Sequence, residues 1–235
     1  MGWRWRAGFV HPIVSPSFIA SQKIKAPTAP TRLVGERRGC FVFPGILKLK
    51  AESCKLTAVT MLYTGRGDDG TTQLFACDGR VEKSGVVAEA LGAVDELNSL
   101  LGWLKLAAGD EKFQQTLTAI QQNLFIIQAT LGGAAKSLPQ AATADLEKRI
   151  KEIERQLPPL RHFTVAGGTT LAAMLDYARA VARRAERRVV GARAAGEVKI
   201  EAAALAYLNR LSSFLFAEAR LANHAAGVKE EVPKY

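Results

Sequence analysis

The stretch RAVARRAERRVV, residues 179–190, sets five arginines and one glutamate within ten positions. A helix turns by about 100° per residue. On that wheel Leu171, Met174, Ala178, Val181, Ala182, Ala185 and Val189 share one flank. Arg179, Arg183 and Glu186 fall on nearly the opposite flank, with Arg187 beside them and Arg184 further round. The segment therefore reads as a helix that buries one face and presents a dense, partly neutralised cationic face on the other. Two readings of that face stand open. It is either a solvated surface laced by pairs of Asp176 with Arg179 and Arg183 with Glu186, or an anion site. Guanidinium forks match phosphate oxygens in pairs.

Working outward, the helical period is sustained on both sides. GVVAEALGAVDELNSLLGWLKLAAG, residues 85–109, is a long apolar-periodic helix with Asp95, Asn98 and Gly102 on one side. Asp110 is the expected N-cap of a second helix through FQQTLTAIQQNLFIIQATLGGAA. After a break at Ser137, Leu138 and Pro139, Thr143 or Ala144 opens a shorter amphipathic helix, ADLEKRIKEIERQL, which Pro158 and Pro159 end. The loop LRHFTVAGG leads into the arginine helix, expected from Thr169 to Ala195. A last helix from Glu201 to Ala226 carries Asn209, Ser213, Phe216 and Arg220 on one face and Leu208, Leu211 and Leu215 on another. Five helices with short connections predict an all-α bundle. Its alanine-rich apolar stripes are wide enough to predict self-association.

Residues 62–83 hold no helical period and read as a loop with short extended pieces. TGRGDDGTT within it has glycines, exposed N–H groups and the hydroxyls of Thr64, Thr71 and Thr72, the parts of a phosphate-cradling loop. It lacks the Gly-Lys-Ser/Thr ending of a Walker A loop and the acid spacing of an EF-hand. An ordinary cluster of turns remains the competing reading.

Charge is distributed unevenly. The chain carries +10, but the first sixty residues hold ten Lys/Arg against two Asp/Glu, out of 32 and 22 in all. The rest is nearly balanced, and no basic stripe with interleaved aromatics marks a nucleic-acid binder. Residues 1–60 are interrupted by Pro12, Pro16, Pro27, Pro30 and Pro44 and are expected to be a poorly structured tail. The tail reads as a cleaved presequence, a disordered arm, or sequence upstream of a start at Met61; the last is favoured. The expected domain is then 61–235. Cys40, Cys54 and Cys77 form no CxxC pair, and His11, His162 and His224 form no ligand pair. No run approaches the ~18 apolar residues that span a bilayer. A cytoplasmic protein is expected, or a mitochondrial-matrix one if the tail is a presequence.

Taken in order, YTGRGDDGTTQLF, EALGAVDELNSLLG, RAVARRAERRVV and YLNRLSSFLF closely resemble the PduO-type ATP:cob(I)alamin adenosyltransferases. The resemblance covers about 62–226. It implies a homotrimer of five-helix bundles, with active sites between adjacent subunits, that moves the adenosyl group of ATP to cob(I)alamin and releases triphosphate. It also implies Mg2+ with the ATP, a reductase that supplies cobalt(I), and an adenosylcobalamin-dependent enzyme that receives the product. Carried over by position, the ATP site falls on Thr64, Gly65, Arg66, Gly67, Thr72, Gln73, Lys83, Arg183, Arg184, Glu186, Arg187 and Asn209. Arg183 and Glu186 are the residues expected to carry catalysis, and Phe163 is the aromatic expected near the corrin. Arg179 and Arg188 are left to structural or surface pairing, and no metal ligand is assigned. The family often has lysine at Gly65, aspartate at Ser213 and a proline after Phe163; this chain has none of them. Those departures keep a second reading open, a non-catalytic trimer that binds cobalamin or ATP as an escort or sensor.

Overall fold

The computed structural model describes residues 63–75 and 79–235. The expectations for residues 1–60, for a start at Met61 and for the three cysteines lie outside the described residues. A short antiparallel ladder comes first: β1 (Thr71–Gln73) pairs with β2 (Arg80–Glu82), with Thr72 opposite Val81. Five helices follow: α1 (Val86–Ala107), α2 (Glu111–Leu131), α3 (Ala142–Glu154), α4 (Thr170–Ala194) and α5 (Ala202–Ala225).

Local chemistry sets most of the boundaries. The Asp110 carboxylate accepts from the Phe113 N–H at 2.9 Å and opens α2. The Thr169 hydroxyl does the same for Ala172 at 3.1 Å and opens α4. Gly227, at φ +67, supplies the left-handed residue that lets the chain leave α5. Helix α3 differs slightly from expectation. It opens at Ala142, and it ends at Glu154, ahead of Pro158 and Pro159. The short extended pieces expected N-terminal to α1 are the strands of the β1–β2 ladder.

Helix α4 lies against both α1 and α5; α2 packs on α1, with Phe113 and Asn123 also meeting α5, and α3 packs on α5. The face of α4 that enters this sandwich carries Ala172, Leu175, Ala178, Ala182, Ala185, Val189 and Ala192, all fully buried. Leu97, Leu101 and Leu104 meet it from α1, and Leu208, Leu211 and Leu215 from α5. Each such leucine contributes roughly 1.5–3 kcal/mol by leaving water. Tyr207 is buried between α5 and α2, where its hydroxyl accepts from Asn123 at 3.1 Å. Burial pushes that phenol up to about 12, against the Asn123 hydrogen bond. Among the described residues no helix is long and apolar enough to cross a membrane.

One ionisable group is buried in the α3–α5 seam. Glu218 accepts from Arg149 Nε at 2.8 Å, and Arg149 also lies 3.9 Å from Glu152. Burial raises the Glu218 carboxyl above its usual 4.5; the Arg149 hydrogen bond and charge oppose the shift, and the Asp110 charge adds to it. A carboxyl raised in this way binds more protons folded than unfolded, so its contribution to stability falls as pH rises through the folded value. Relative to a Glu218→Gln variant, the native protein should therefore gain stability as the pH is lowered from neutral towards 4.5. Urea midpoints for both proteins across that range test this; a constant or opposite difference contradicts it.

Candidate functional site

The two halves of the expected site are built differently. The first is the hairpin of residues 63–83. Gly65 at φ +68 and Gly70 at φ +81 bend it through the left-handed region that favours glycine. Turns are closed by Asp68 N–H to the Gly65 carbonyl (3.2 Å) and Gly70 N–H to the Gly67 carbonyl (3.2 Å). Thr64 accepts weakly from Arg66 N–H at 3.4 Å. Asp69 accepts from both the hydroxyl (2.7 Å) and the amide (2.9 Å) of Thr71. Those bonds hold its carboxyl below the usual 3.8, with the Arg80 charge adding to the effect.

Arg80 was not anticipated. It donates Nε to the Thr71 hydroxyl and Nη2 to the Thr71 carbonyl at 2.9 Å. It stands opposite Gln73 and so diagonal to Thr71, the ladder relation in which long side chains still meet. A three-residue strand is too short to announce that relation in sequence. Lys83 reaches back across the hairpin and donates Nζ to the Gly67 carbonyl at 2.7 Å, while its own N–H bonds the Gly70 carbonyl at 3.0 Å. A Cβ on Gly67 would stand 3.2 Å from both Lys83 Nζ and the Thr71 carbonyl. Glycine is thus what lets the ammonium approach the loop. The hydrogen bonds of Thr64, Asp69, Thr71 and Lys83 all stay within the hairpin.

The second half is the exposed flank of α4 with the adjoining edge of α5. Here the structure sorts the arginines. Arg184 bonds Glu96 on α1, and Arg188 lies 3.6 Å from Glu89 on α1. Arg179 lies 3.6 Å from Asp176, and its guanidinium sits over the Phe216 ring, 5.7 Å from the centroid. Arg179 and Arg188 thus make the structural and surface pairs expected of them. Arg184 is held towards α1, away from the role of a free phosphate ligand. Arg183 and Arg187, one helical turn apart, are exposed and enter no ion pair among the described residues.

Glu186, between them, does not pair with Arg183 as the solvated-face reading requires. Its carboxylate accepts from Asn209 Nδ2 at 2.9 Å. Asn209 in turn accepts from Arg210 Nη1 at 3.4 Å, and Arg210 Nε bonds Glu147 on α3 at 2.9 Å. The Asn209 amide is bonded at both ends, which holds Asn209 and Glu186 together across the α4–α5 seam. Ser213 is exposed one turn beyond Asn209, and Phe163 stands 80% exposed on the loop between α3 and α4. The geometry suits binding of a polyphosphate and stabilisation of developing negative charge.

Comparison with known proteins agrees. A sequence model of the cobalamin adenosyltransferase family matches residues 62–222. The chain is 38% identical to the corrinoid adenosyltransferase of Bacillus subtilis (strain 168), over 71% of this chain and 89% of that one. It is 38% identical to the corrinoid adenosyltransferase PduO of Salmonella typhimurium, over 74% of this chain; it spans about half of that relative, 54%. It is 35% identical to the human corrinoid adenosyltransferase MMAB, over 77% of this chain and 76% of that one. Among solved structures, a variant PduO-type ATP:corrinoid adenosyltransferase from Lactobacillus reuteri, complexed with cobalamin and ATP, superposes with a TM-score of 0.69. The two are 31% identical, over 74% of this chain and 97% of the other.

The Lys83 bond makes the hairpin testable without any ligand. In a Lys83→Met variant, amide hydrogen exchange at Gly70 and Lys83 should speed up by about tenfold, the loss of a hydrogen bond of roughly 1–1.5 kcal/mol. Exchange at buried α1 positions such as Leu97 should not change. Unaltered exchange at Gly70 would mean that the ammonium does not hold the turn.

Proposed function

This chain belongs to the cobalamin adenosyltransferase family, and on that premise we propose that it transfers the 5′-deoxyadenosyl group of ATP to the cobalt of cob(I)alamin, giving adenosylcobalamin and triphosphate. The observation that carries the reading within this chain is the sorting of the arginines. Three of five are tied to carboxylates, and the two left exposed and unpaired flank Glu186.

The chemistry suits a protein without a nucleophile of its own. The cobalt(I) electron pair attacks the ribose C5′, the cobalt–carbon bond forms, and the C5′–O bond breaks with its electrons going to triphosphate. What the chain supplies is alignment and charge. Thr64, Gly65, Arg66, Gly67, Thr72 and Gln73 of the hairpin, with Lys83, are assigned to wrapping ATP. Arg183 and Arg187 are assigned to the triphosphate, where charge grows as the bond breaks. Glu186 holds Asn209 at the nucleotide and is grouped with Arg183 as catalytic. Arg184 is assigned to the ATP site by position, and binding there would draw it from Glu96. Phe163 is assigned to the corrin side, where an exposed aromatic can exclude water from cobalt(I).

Mg2+ would accompany the ATP. Among the described residues no three Asp, Glu, His or Cys side chains cluster. The ion would thus be held mainly by phosphate oxygens, its usual mode with nucleotides. Gly65, at φ +68, sits where a lysine would be strained, so Arg66 and Lys83 supply the cations of this loop.

We assign the site to a subunit boundary in a homotrimer. Trp103, Leu106 and Phe125 are exposed at 56%, 85% and 56%, apolar area that a second copy would cover. A cobalamin reductase upstream and an adenosylcobalamin-dependent enzyme downstream complete the proposal. The reaction is placed in the cytoplasm, or in the mitochondrial matrix if residues 1–60 act as a presequence.

Triphosphate release from ATP and reduced cobalamin under anaerobic conditions tests the activity. Arg183→Ala and Glu186→Ala should each lower turnover by about 100-fold or more with the oligomer intact. Wild-type rates in both would return this flank to a solvated surface. Tight ATP binding with no turnover in the parent protein would favour an escort or sensor. A chain beginning at Met61 should keep full activity, and its loss would assign residues 1–60 to the working protein.

A further inference from the structure

Phe163 lies on the loop of residues 155–169, which has no regular structure of its own, yet both of its ends are tied down. Near its start, the Pro158 carbonyl accepts from Arg220 Nη2 of α5 at 3.2 Å. Near its end, Asn223 of α5 accepts from Thr169 N–H and donates to the Gly167 carbonyl, both at 2.9 Å. Gly168 stands at φ +97, and a Cβ there would come within 2.3 Å of Asn223 Oδ1, so only glycine lets the loop lie this close. Between these anchors the chain beyond α5 folds back. The Val165 N–H donates to the Glu231 carbonyl at 2.8 Å, two residues from Phe163.

What holds that returning segment is ionic. Arg220 grips Glu230 with Nε at 2.7 Å and Nη2 at 3.1 Å, a bidentate pair in which the arginine side chain is 11% exposed. Val228, Lys229 and Glu231 are exposed, and a cavity of about 290 Å³ opens beside Leu157, His224 and Val228; the Val228 N–H adds one bond to the Asn223 carbonyl at 2.9 Å. The same loop end connects to the arginine helix. Gly167 N–H donates to Asp176 Oδ2 at 3.2 Å, and the other oxygen of Asp176 faces Arg179.

We propose that residues 228–231 form a strap that fixes the Phe163 loop, and that Arg220, Glu230 and Asn223 are positioning residues for the cobalamin half of the site. The proposal rests on the assignment of Phe163 to the corrin side. It leaves the ATP half alone, because the bonds of the strap run to Val165, Arg220 and Asn223, whereas Glu186 and Asn209 bond each other and Lys83 bonds Gly67. Glu230 is the lever. Its charge fixes Arg220, which lies at the junction of the loop start and the strap, and its side chain is outside the bundle core.

The test measures apparent KM for ATP and for reduced cobalamin, with turnover, in the parent protein, Glu230→Gln, Phe163→Ala and the double variant. A chain ending at Ala226 is the second route to the same loss. The expected result is a rise of about tenfold in the cobalamin KM, or an equal fall in turnover, for Glu230→Gln, with the ATP KM unchanged. On the Phe163→Ala background the same change should cost nothing further. An ATP KM that rises in step, a full additive loss in the double variant, or no effect of either strap change overturns the strap. Parent-like kinetics in Phe163→Ala overturns instead the assignment of Phe163, and the strap's role in cobalamin binding falls with it.

Discussion

Ala172, Ala178, Ala182, Ala185 and Ala192 are sealed from solvent along one side of α4, and the rest of the molecule depends on that strip. Short side chains let α1 and α5 approach α4 closely from two directions, so the central helix needs few large residues of its own. The volume is filled from outside by Leu97, Leu101 and Leu104 and by Leu208, Leu211 and Leu215. A helix buried on two sides keeps its polar groups to the remaining side, where the arginines share the surface with Ala173, Tyr177, Ala180 and Val190.

Crowded like charges repel, and the fold resolves the repulsion unevenly. Arg184 and Arg188 lean across to Glu96 and Glu89, which lie one heptad apart on α1. Arg179 is taken by Asp176 and by the face of Phe216. Surface pairs of this kind add little stability. Their consequence is selection, since they leave Arg183 and Arg187 as the cations of this flank outside any ion pair among the described residues. Glu186, between them, accepts from the uncharged amide of Asn209, so it keeps its own charge and offsets part of theirs without forming an ion pair with either. The network that steadies Asn209 reaches Glu147 through Arg210, so three helices cooperate in orienting one side chain.

Much of this was legible in the chain itself. Asp110 and Thr169 announce their helices because capping is a local event between residues three apart. The apolar period finds the buried faces of α1, α4 and α5 for the same reason. The partner of each arginine was not legible, because Glu89 and Glu96 are remote in sequence and their meeting with α4 depends on tertiary packing. The same holds for Asn223. Nothing in its surroundings distinguishes it from a surface asparagine near a helix end, yet it holds Gly167 and Thr169. The β1–β2 hairpin was half legible. Its glycines mark the turns, but three-residue strands carry too little alternation to predict Arg80 over Thr71. The four family motifs supplied the proposed ATP site, and only the folded chain separates its exposed arginines from its tied ones.

The two departures from the family pattern can be weighed together on this basis. Glycine in place of lysine at Gly65 removes one positive charge from the proposed ATP site. Serine in place of aspartate at Ser213 removes one negative charge from the α5 edge of the same site. Taken singly, each looks like damage; taken together they leave the net charge of the site unchanged. The backbone argues in the same direction. Gly65 adopts φ +68, a conformation that glycine takes freely, so the loop has settled into a turn that no longer presents a side chain there. Ser213 likewise adds no carboxylate to the α5 edge, where Asn209 meets Glu186. On the proposed reading the positive charge offered to the triphosphate comes from Arg66 and Lys83 of the hairpin together with Arg183 and Arg187 of the helix.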